Sequence, residues 1–200
     1  MCEWGKIKIF MDCKVVCYTA LVGAYDDLKS PSYVSTNWDY VCFTDQPVGD
    51  QVGVWEIRPL EKVIEDDPTR TNRWHKMHPH ILFPDYEVSV YIDSNIEVIG
   101  THLETKLRDL LNGVNVIALP VHPLRDCVYD EIVECMACRL DRLSLMQANA
   151  QVLKKSKYPE KNGLYENNLI IRKHNDPLLI ALMLEWWDML SRYSKRDQLS

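Results

Sequence analysis

The chain has 200 residues, 46% of them hydrophobic and 26% charged, which is ordinary for one globular domain with a sizeable core. Its formal net charge of −6 does not suggest a nucleic-acid-binding surface, and no apolar run approaches the roughly 18–20 residues of an integral membrane segment. Seven cysteines form no disulfide framework and no secretory signal opens the chain, so the thiols are read as reduced, in a cytoplasmic setting.

Lys14 to Val22 is an apolar, β-branched run and reads as the first buried strand, ended by Gly23. Tyr25 to Pro31 is turn-like. Tyr40 to Phe43 is a second short strand, stopped at Thr44-Asp45-Gln46-Pro47, and Val52 to Ile57 alternates like an edge strand. Thr69 to Phe83 reads as a helix with Asp67-Pro68 at its start, bent or ended near Pro79. Arg70, Arg73 and Lys76 recur every third residue and spread over about a third of its circumference. Such a basic stripe is either a solvated face or a cradle for the diphosphate of an anionic ligand.

The central stretch is Val88 to Val98. It starts as a buried strand and stops on Asp93-Ser94-Asn95. A buried strand ending on a carboxylate places that group at a sheet's carboxyl edge, where open α/β sheets bind ligands. The plainer reading is a strand followed by an Asx-turn. A helix over Thr105 to Leu111, a strand over Val114 to Pro120, and a long helical stretch from Val128 to Val152 with a break near its middle follow. Lys154 to Gly163 is a polar loop; Leu164 to Arg172 turns strand-like, and Asn175-Asp176-Pro177 caps a helix from Leu178 to Leu190. Trp186 and Trp187 read as packing residues, and Cys135-x-x-Cys138 as buried thiols rather than a zinc site.

Taken together, several stretches resemble a glycosyltransferase-like family long catalogued as a domain of unknown function. It occurs in bacteria and plants; some plant members are linked to cell-wall polysaccharide synthesis, and one is named an alkaline ceramidase. The stretches are Tyr18 to Asp26, Phe43-Thr44-Asp45, Arg70-x-x-Arg73-x-x-Lys76 with His78-Pro79-His80, Tyr91 to Asn95, His122 to Glu131, Gly163 to Glu166 and Arg196 to Ser200, in that order. The resemblance implies an α/β, GT-A-like (Rossmann-like) mixed sheet flanked by helices, a single domain over residues 1–200. Members usually continue past the last motif, so a C-terminal extension is expected beyond Ser200.

The resemblance also assigns roles. Tyr18, Thr19, Ala20, Tyr25, Asp45, Arg70, Arg73, Lys76, Asp93 and Ser94 are expected to bind a nucleotide-sugar donor. Asp93, Asn95 and His122 are expected to hold a divalent cation, manganese or magnesium, although Asn95 departs from the plain Asp-x-Asp pattern. Glu166 is the candidate general base for a glycan or other hydroxyl acceptor, and Asp197 with Gln198 the pair that touches the donor sugar. The expected function is transfer of a sugar from a nucleotide-diphosphate sugar. The alternative is a non-catalytic nucleotide-sugar-binding module. An amide-lipid hydrolase finds no nucleophile elbow, triad spacing or complete zinc set in the chain.

Overall fold

In the computed structural model, Val15–Leu21 forms β1, seven consecutive buried residues whose β-branched and aromatic side chains pack on both faces. Residues 13–23, 26–47 and 49–200 are described. β1 lies at the middle of a seven-stranded mixed sheet. It pairs in parallel with β2 (Trp38–Thr44) on one side and β5 (Val88–Ile92) on the other, so that Cys17 sits between Tyr40 and Val90. β4 (Trp55–Pro59) continues in parallel beyond β2, and β3 (Gln51–Val52) closes that edge antiparallel to β4. On the far side β7 (Leu169–Arg172) runs antiparallel to β5, and β6 (Ile117–Ala118) antiparallel to β7. The parallel strands therefore diverge in chain order on either side of the β1–β5 gap. That gap, at the strands' carboxyl ends, is the topological switch point where such sheets bind ligands.

Alternation along the strands sorts two cores. Cys17, Leu21, Tyr40, Trp55, Val90 and Ile92 pack with Leu107 and Leu110 of α3 (His102–Asn112). Val16, Tyr18, Ala20, Phe43, Tyr91 and Ile170 face the other way, onto Phe83 and Trp186. That second face carries α1 (Pro68–Met77), α2 (Pro79–Leu82) and α6 (Pro177–Arg192). A helical hairpin, α4 (Val128–Ala137) and α5 (Leu143–Lys155), builds its own cluster with Leu164 and Leu199.

Two elements differ from the sequence reading, and a third ends where that reading placed a bend or stop. Val52 to Ile57 is a tight hairpin rather than one strand, turned at Gly53 with φ +59, so β4 is an inner strand and β3 the edge. The helix read over Thr69–Phe83 does end near Pro79, as expected, and restarts as a second short helix, because Pro79 supplies no N–H and holds His78 out of helical geometry (φ −119, ψ 44). The strand read over Val114 to Pro120 shortens to two residues. The break expected within 128–152 falls around Arg139, which takes φ +56 at the end of α4. Among the described residues, no helix is long and apolar enough to cross a membrane.

Candidate active site

α1 delivers the basic residues. Asp67 caps it by accepting from Arg70 N at 3.0 Å, and Pro68 occupies its first turn. The stripe then divides. Arg70 turns toward α6: Nε donates to Leu190 O at 2.9 Å, Nη2 to Tyr193 O at 2.7 Å, and Nη1 pairs with Asp67 at 2.6 Å. It ties α1 to the end of α6. Arg73 and Lys76 lean the other way, over the carboxyl end of β5.

There they meet two carboxylates. Lys76 is 1% exposed, with Nζ 2.6 Å from Asp197 Oδ2, 3.6 Å from Asp93 Oδ1 and 4.8 Å from the centre of the Tyr91 ring. Arg73 Nε lies 3.1 Å from the same Asp197 oxygen, an ion pair whose angle falls outside hydrogen-bond geometry. Tyr91 donates its hydroxyl to Asp93 Oδ1 at 3.0 Å. Tyr91 and Asp93 are two residues apart, and alternation puts both on the α1 face. Burial by itself would raise the Asp197 carboxyl; Arg73 and Lys76 outweigh it and hold the group well below the usual carboxylate range. Burial also opposes the charge on Arg73, and the carboxylates of Asp197 and Asp93 restore it. Burial pushes the Tyr91 phenol far up, with Asp93 adding to it, so that hydroxyl stays a donor.

Lys76 is fixed from below. Its carbonyl accepts from Arg172 Nη1 at 2.7 Å and from the Tyr18 hydroxyl at 3.1 Å. Arg172 Nη2 in turn donates to the Tyr18 oxygen at 2.6 Å. Arg172 is fully buried. Its guanidinium sits at the carboxyl end of α1, where the helix dipole favours a cation. Tyr18 is fully buried as well, edge-on to Phe83 and Tyr91. It supports the cleft from beneath instead of lining it.

The cleft has two adjoining chambers. One, of about 410 Å³, lies over the carboxyl ends of β1 and β5 and is lined by Ala20, Gly23, Asn72, Ser94, Asn95 and Lys195 among others. The second, of about 180 Å³, is lined by Lys76, Glu166, Asn167, Asn168, Asp197 and Gln198. Arg73, Asp93 and Arg196 line both and mark their junction. A smaller recess of about 140 Å³ shares Leu21 and Asp26 with the first chamber and reaches Thr44 and Gln46 at the end of β2. Gly23 takes φ +75, and a Cβ there would meet Pro68 Cβ at 3.2 Å, so glycine is required.

The remaining expected residues fall as follows. Ala20 gives its carbonyl to Asn72 Nδ2 at the chamber floor. Thr19 is fully buried with no partner for its hydroxyl and lines none of the three cavities. Asp45 accepts from Gly23 N through both oxygens at 3.1 Å, holding the loop after β1. Tyr25 lies outside the described residues. Glu166 accepts from Asn168 Nδ2 at 3.3 Å and takes part in none of the cleft's ion pairs. Gln198 Oε1 accepts from Arg196 Nη2 at 3.2 Å. Trp186 Nε1 donates to Asp197 O at 3.0 Å, so that tryptophan packs and also fixes the site.

The metal expectation does not match these positions. His122 lines neither chamber: Nδ1 accepts from Leu124 N at 3.2 Å and Arg125 N at 3.0 Å, and Nε2 faces Glu131 at 3.8 Å. Its local turn consumes the nitrogen a metal would need. Asn95 is exposed and neutral, and Asp93 has an ammonium 3.6 Å from one oxygen. Among the described residues, no three His, Cys, Asp or Glu side chains converge on one point. This donor set does not fit a preformed divalent-cation cage. Of the Cys135-x-x-Cys138 pair, Cys135 is buried and Cys138, the residue that caps the end of α4, is exposed.

A sequence profile of the TOD1/MUCI70 glycosyltransferase-like domain matches residues 5–200. The chain belongs to this family. A relative from Arabidopsis thaliana named "Probable hexosyltransferase MUCI70" is 22% identical over 213 residues, covering 93% of this chain and 36% of the relative. The chain thus spans about a third of that protein's length. Among solved structures, the WbbM bifunctional glycosyltransferase superposes with a TM-score of 0.52 at 12% identity, covering 94% of this chain and 36% of the other. Mouse xyloside xylosyltransferase 1 superposes at 0.51 and 7% identity, covering 94% and 79%. Both establish a GT-A-like fold for this glycosyltransferase-like domain.

Sequence reasoning missed Asn72, Tyr91, Arg172 and Arg196 as parts of the site. Tyr91 and Arg196 lay inside the stretches that carry the family resemblance, without a role assigned to them, and Arg172 showed as a charged residue closing the apolar run Leu169-Ile170-Ile171.

Proposed function

We propose that this domain transfers a sugar from a nucleotide-diphosphate sugar to a hydroxyl of a glycan or other acceptor. The observation that carries the reading is the junction of Arg73, Asp93 and Arg196 between a roomy chamber and a small polar one. The nucleoside lies in the larger chamber, its base toward Thr44 and Gln46. The diphosphate rests at the junction and the sugar fills the smaller chamber. Arg73, Arg196 and Lys195 balance the charge that grows on the departing diphosphate, an electrostatic stabilisation worth most in a site that excludes water. Asp197, kept ionised by Lys76 and Arg73, gives the sugar hydroxyls a fixed acceptor and opposes the positive charge that develops at the anomeric carbon. Asp93 presents its outward oxygen to the donor. As the acceptor oxygen bonds to the anomeric carbon and the bond to the phosphate oxygen breaks, Glu166 takes the acceptor's proton. Glu166 suits that task because it lines the small chamber and takes part in none of the cleft's ion pairs.

The test is a panel of nucleotide sugars, with and without manganese, following binding and nucleotide release for the wild-type chain and Asp93→Ala. Acceptor-dependent release that is lost in the variant supports transfer. Binding without release under any acceptor favours the binding-module alternative. No binding to any nucleotide sugar refutes both.

A further inference from the structure

Residues 194–199 form a strap across the cleft. Lys195 and Arg196 line the larger chamber, and Arg196, Asp197 and Gln198 the smaller. Asp197–Leu199 is a 3-10 turn too short to hold itself in place. The strap is held from α5 by one side chain. Asn149 is completely buried. Its Oδ1 accepts from Ser194 N at 2.8 Å, and its Nδ2 donates to Leu199 O at 3.1 Å. The amide therefore brackets the strap, and each bracketed backbone group is buried away from water's help. The two ends are not equally dependent on it. Asp141 also holds the first end, accepting from Ser194 Oγ at 2.7 Å and Lys195 N at 2.8 Å. At the second end, Asn149 Nδ2 works with the buried Leu199 side chain, the Trp186 bond to Asp197 O and the ion pairs of Asp197 with Lys76 and Arg73, none of which supplies a donor to the Leu199 carbonyl.

The structure assigns Asn149 as a positioning residue: it touches no ligand chamber, but sets the Asp197–Gln198 turn against Arg73 and Lys76. A buried amide on a helix face that otherwise packs Met146, Ala150 and Leu153 has no other work to do. The consequence for turnover rests on the glycosyltransferase reading; the consequence for the strap does not.

The asymmetry gives a discriminating variant. Asn149→Asp keeps the acceptor for Ser194 N and, in its ionised form, sets a second acceptor against Leu199 O in place of the donor. It should loosen the Asp197 end while the Lys195 end stays held. Hydrogen exchange on the whole chain should show faster exchange at 196–200 with α1 and β5 unchanged. Binding of free nucleoside diphosphates should weaken by about threefold or less, while turnover at saturating donor falls about tenfold or more. In a Gln198→Ala background the same change should cost clearly less, because the two act through one turn. Unchanged exchange at 196–200 overturns the assignment. A loosened strap with full turnover overturns its part in the chemistry. Equal fractional losses in both backgrounds, with exchange raised everywhere, mean a general packing role and overturn it too. A wild-type chain that turns over no donor sinks the proposed function, while the exchange result still decides the strap.

Discussion

Replacing Asp197 by Asn removes one charge from a buried group of three, Asp197 with Lys76 and Arg73, and changes almost no volume. Its carboxylate lies 2.6 Å from Lys76 Nζ and 3.1 Å from Arg73 Nε. At an effective dielectric constant of about 20, those separations correspond to gross attractions of about 6 and about 5 kcal/mol. Desolvation of all three groups offsets most of that, so the pair's net worth is small. Removing one partner is different. Lys76 would stay 1% exposed with only Asp93 at 3.6 Å, and Arg73 would lose its main counter-charge. Stranding buried charge in this way costs about 3–5 kcal/mol. With a urea slope of about 2 kcal/mol per molar, the unfolding midpoint should fall by about 1.5–2.5 M. Adding Lys76→Met should return much of the loss, since the orphaned ammonium goes with it. The wild-type chain should also show an acid limb that the variant lacks. Asp197 is depressed in the folded state, so its contribution is complete above about pH 4 and fades as pH falls toward its folded value. A midpoint shift under about 0.5 M, or a double variant no better than the single, would refute the buried-pair reasoning.

Arg172→Met should cost about 2–4 kcal/mol by leaving the Lys76 carbonyl and Tyr18 hydroxyl short of a donor, and Arg172→Lys should rescue little, since one ammonium cannot span both; thermal melts of the pair check it. Burial pulls His78 and His174 from 6.5 to about 4, with Arg172 adding to the effect on both. The unfolded chain then takes up protons that the folded chain refuses, so stability should fall as pH drops from 6.5 toward 4, by at most about 2 kcal/mol per histidine at pH 5; a urea midpoint flat across that range would contradict it. Glu166→Gln should lower turnover by about 10²–10⁴ with donor binding unchanged, measured by single-turnover nucleotide release; equal losses in binding and turnover would place Glu166 on the donor instead.

What the sequence revealed and concealed follows from the range of each interaction. β5 and its terminal Asp93 were legible because a strand's burial and its stop are written in consecutive residues. The helix from Pro68 was legible for the same reason, down to its cap. The stripe of Arg70, Arg73 and Lys76 was legible as a stripe, but its destination was not. Periodicity spreads the three over part of a helix, and only the packing of α6 decides that Arg70 bonds to Leu190 and Tyr193 while Lys76 reaches Asp197, 121 residues away. Tyr18 shows the same limit within one strand. Alternation fixes that it faces opposite to Cys17, yet nothing local says that this face meets Arg172 rather than a ligand. His122 fails in the other direction: a turn two and three residues on satisfies its ring, which a residue type beyond a strand cannot disclose. The site's chemistry thus lies in contacts between segments far apart in the chain, and the most informative of them, Asp197 between Lys76 and Arg73, joins a helix before β5 to a turn after α6. A single sequence displays both partners and leaves their meeting to the fold.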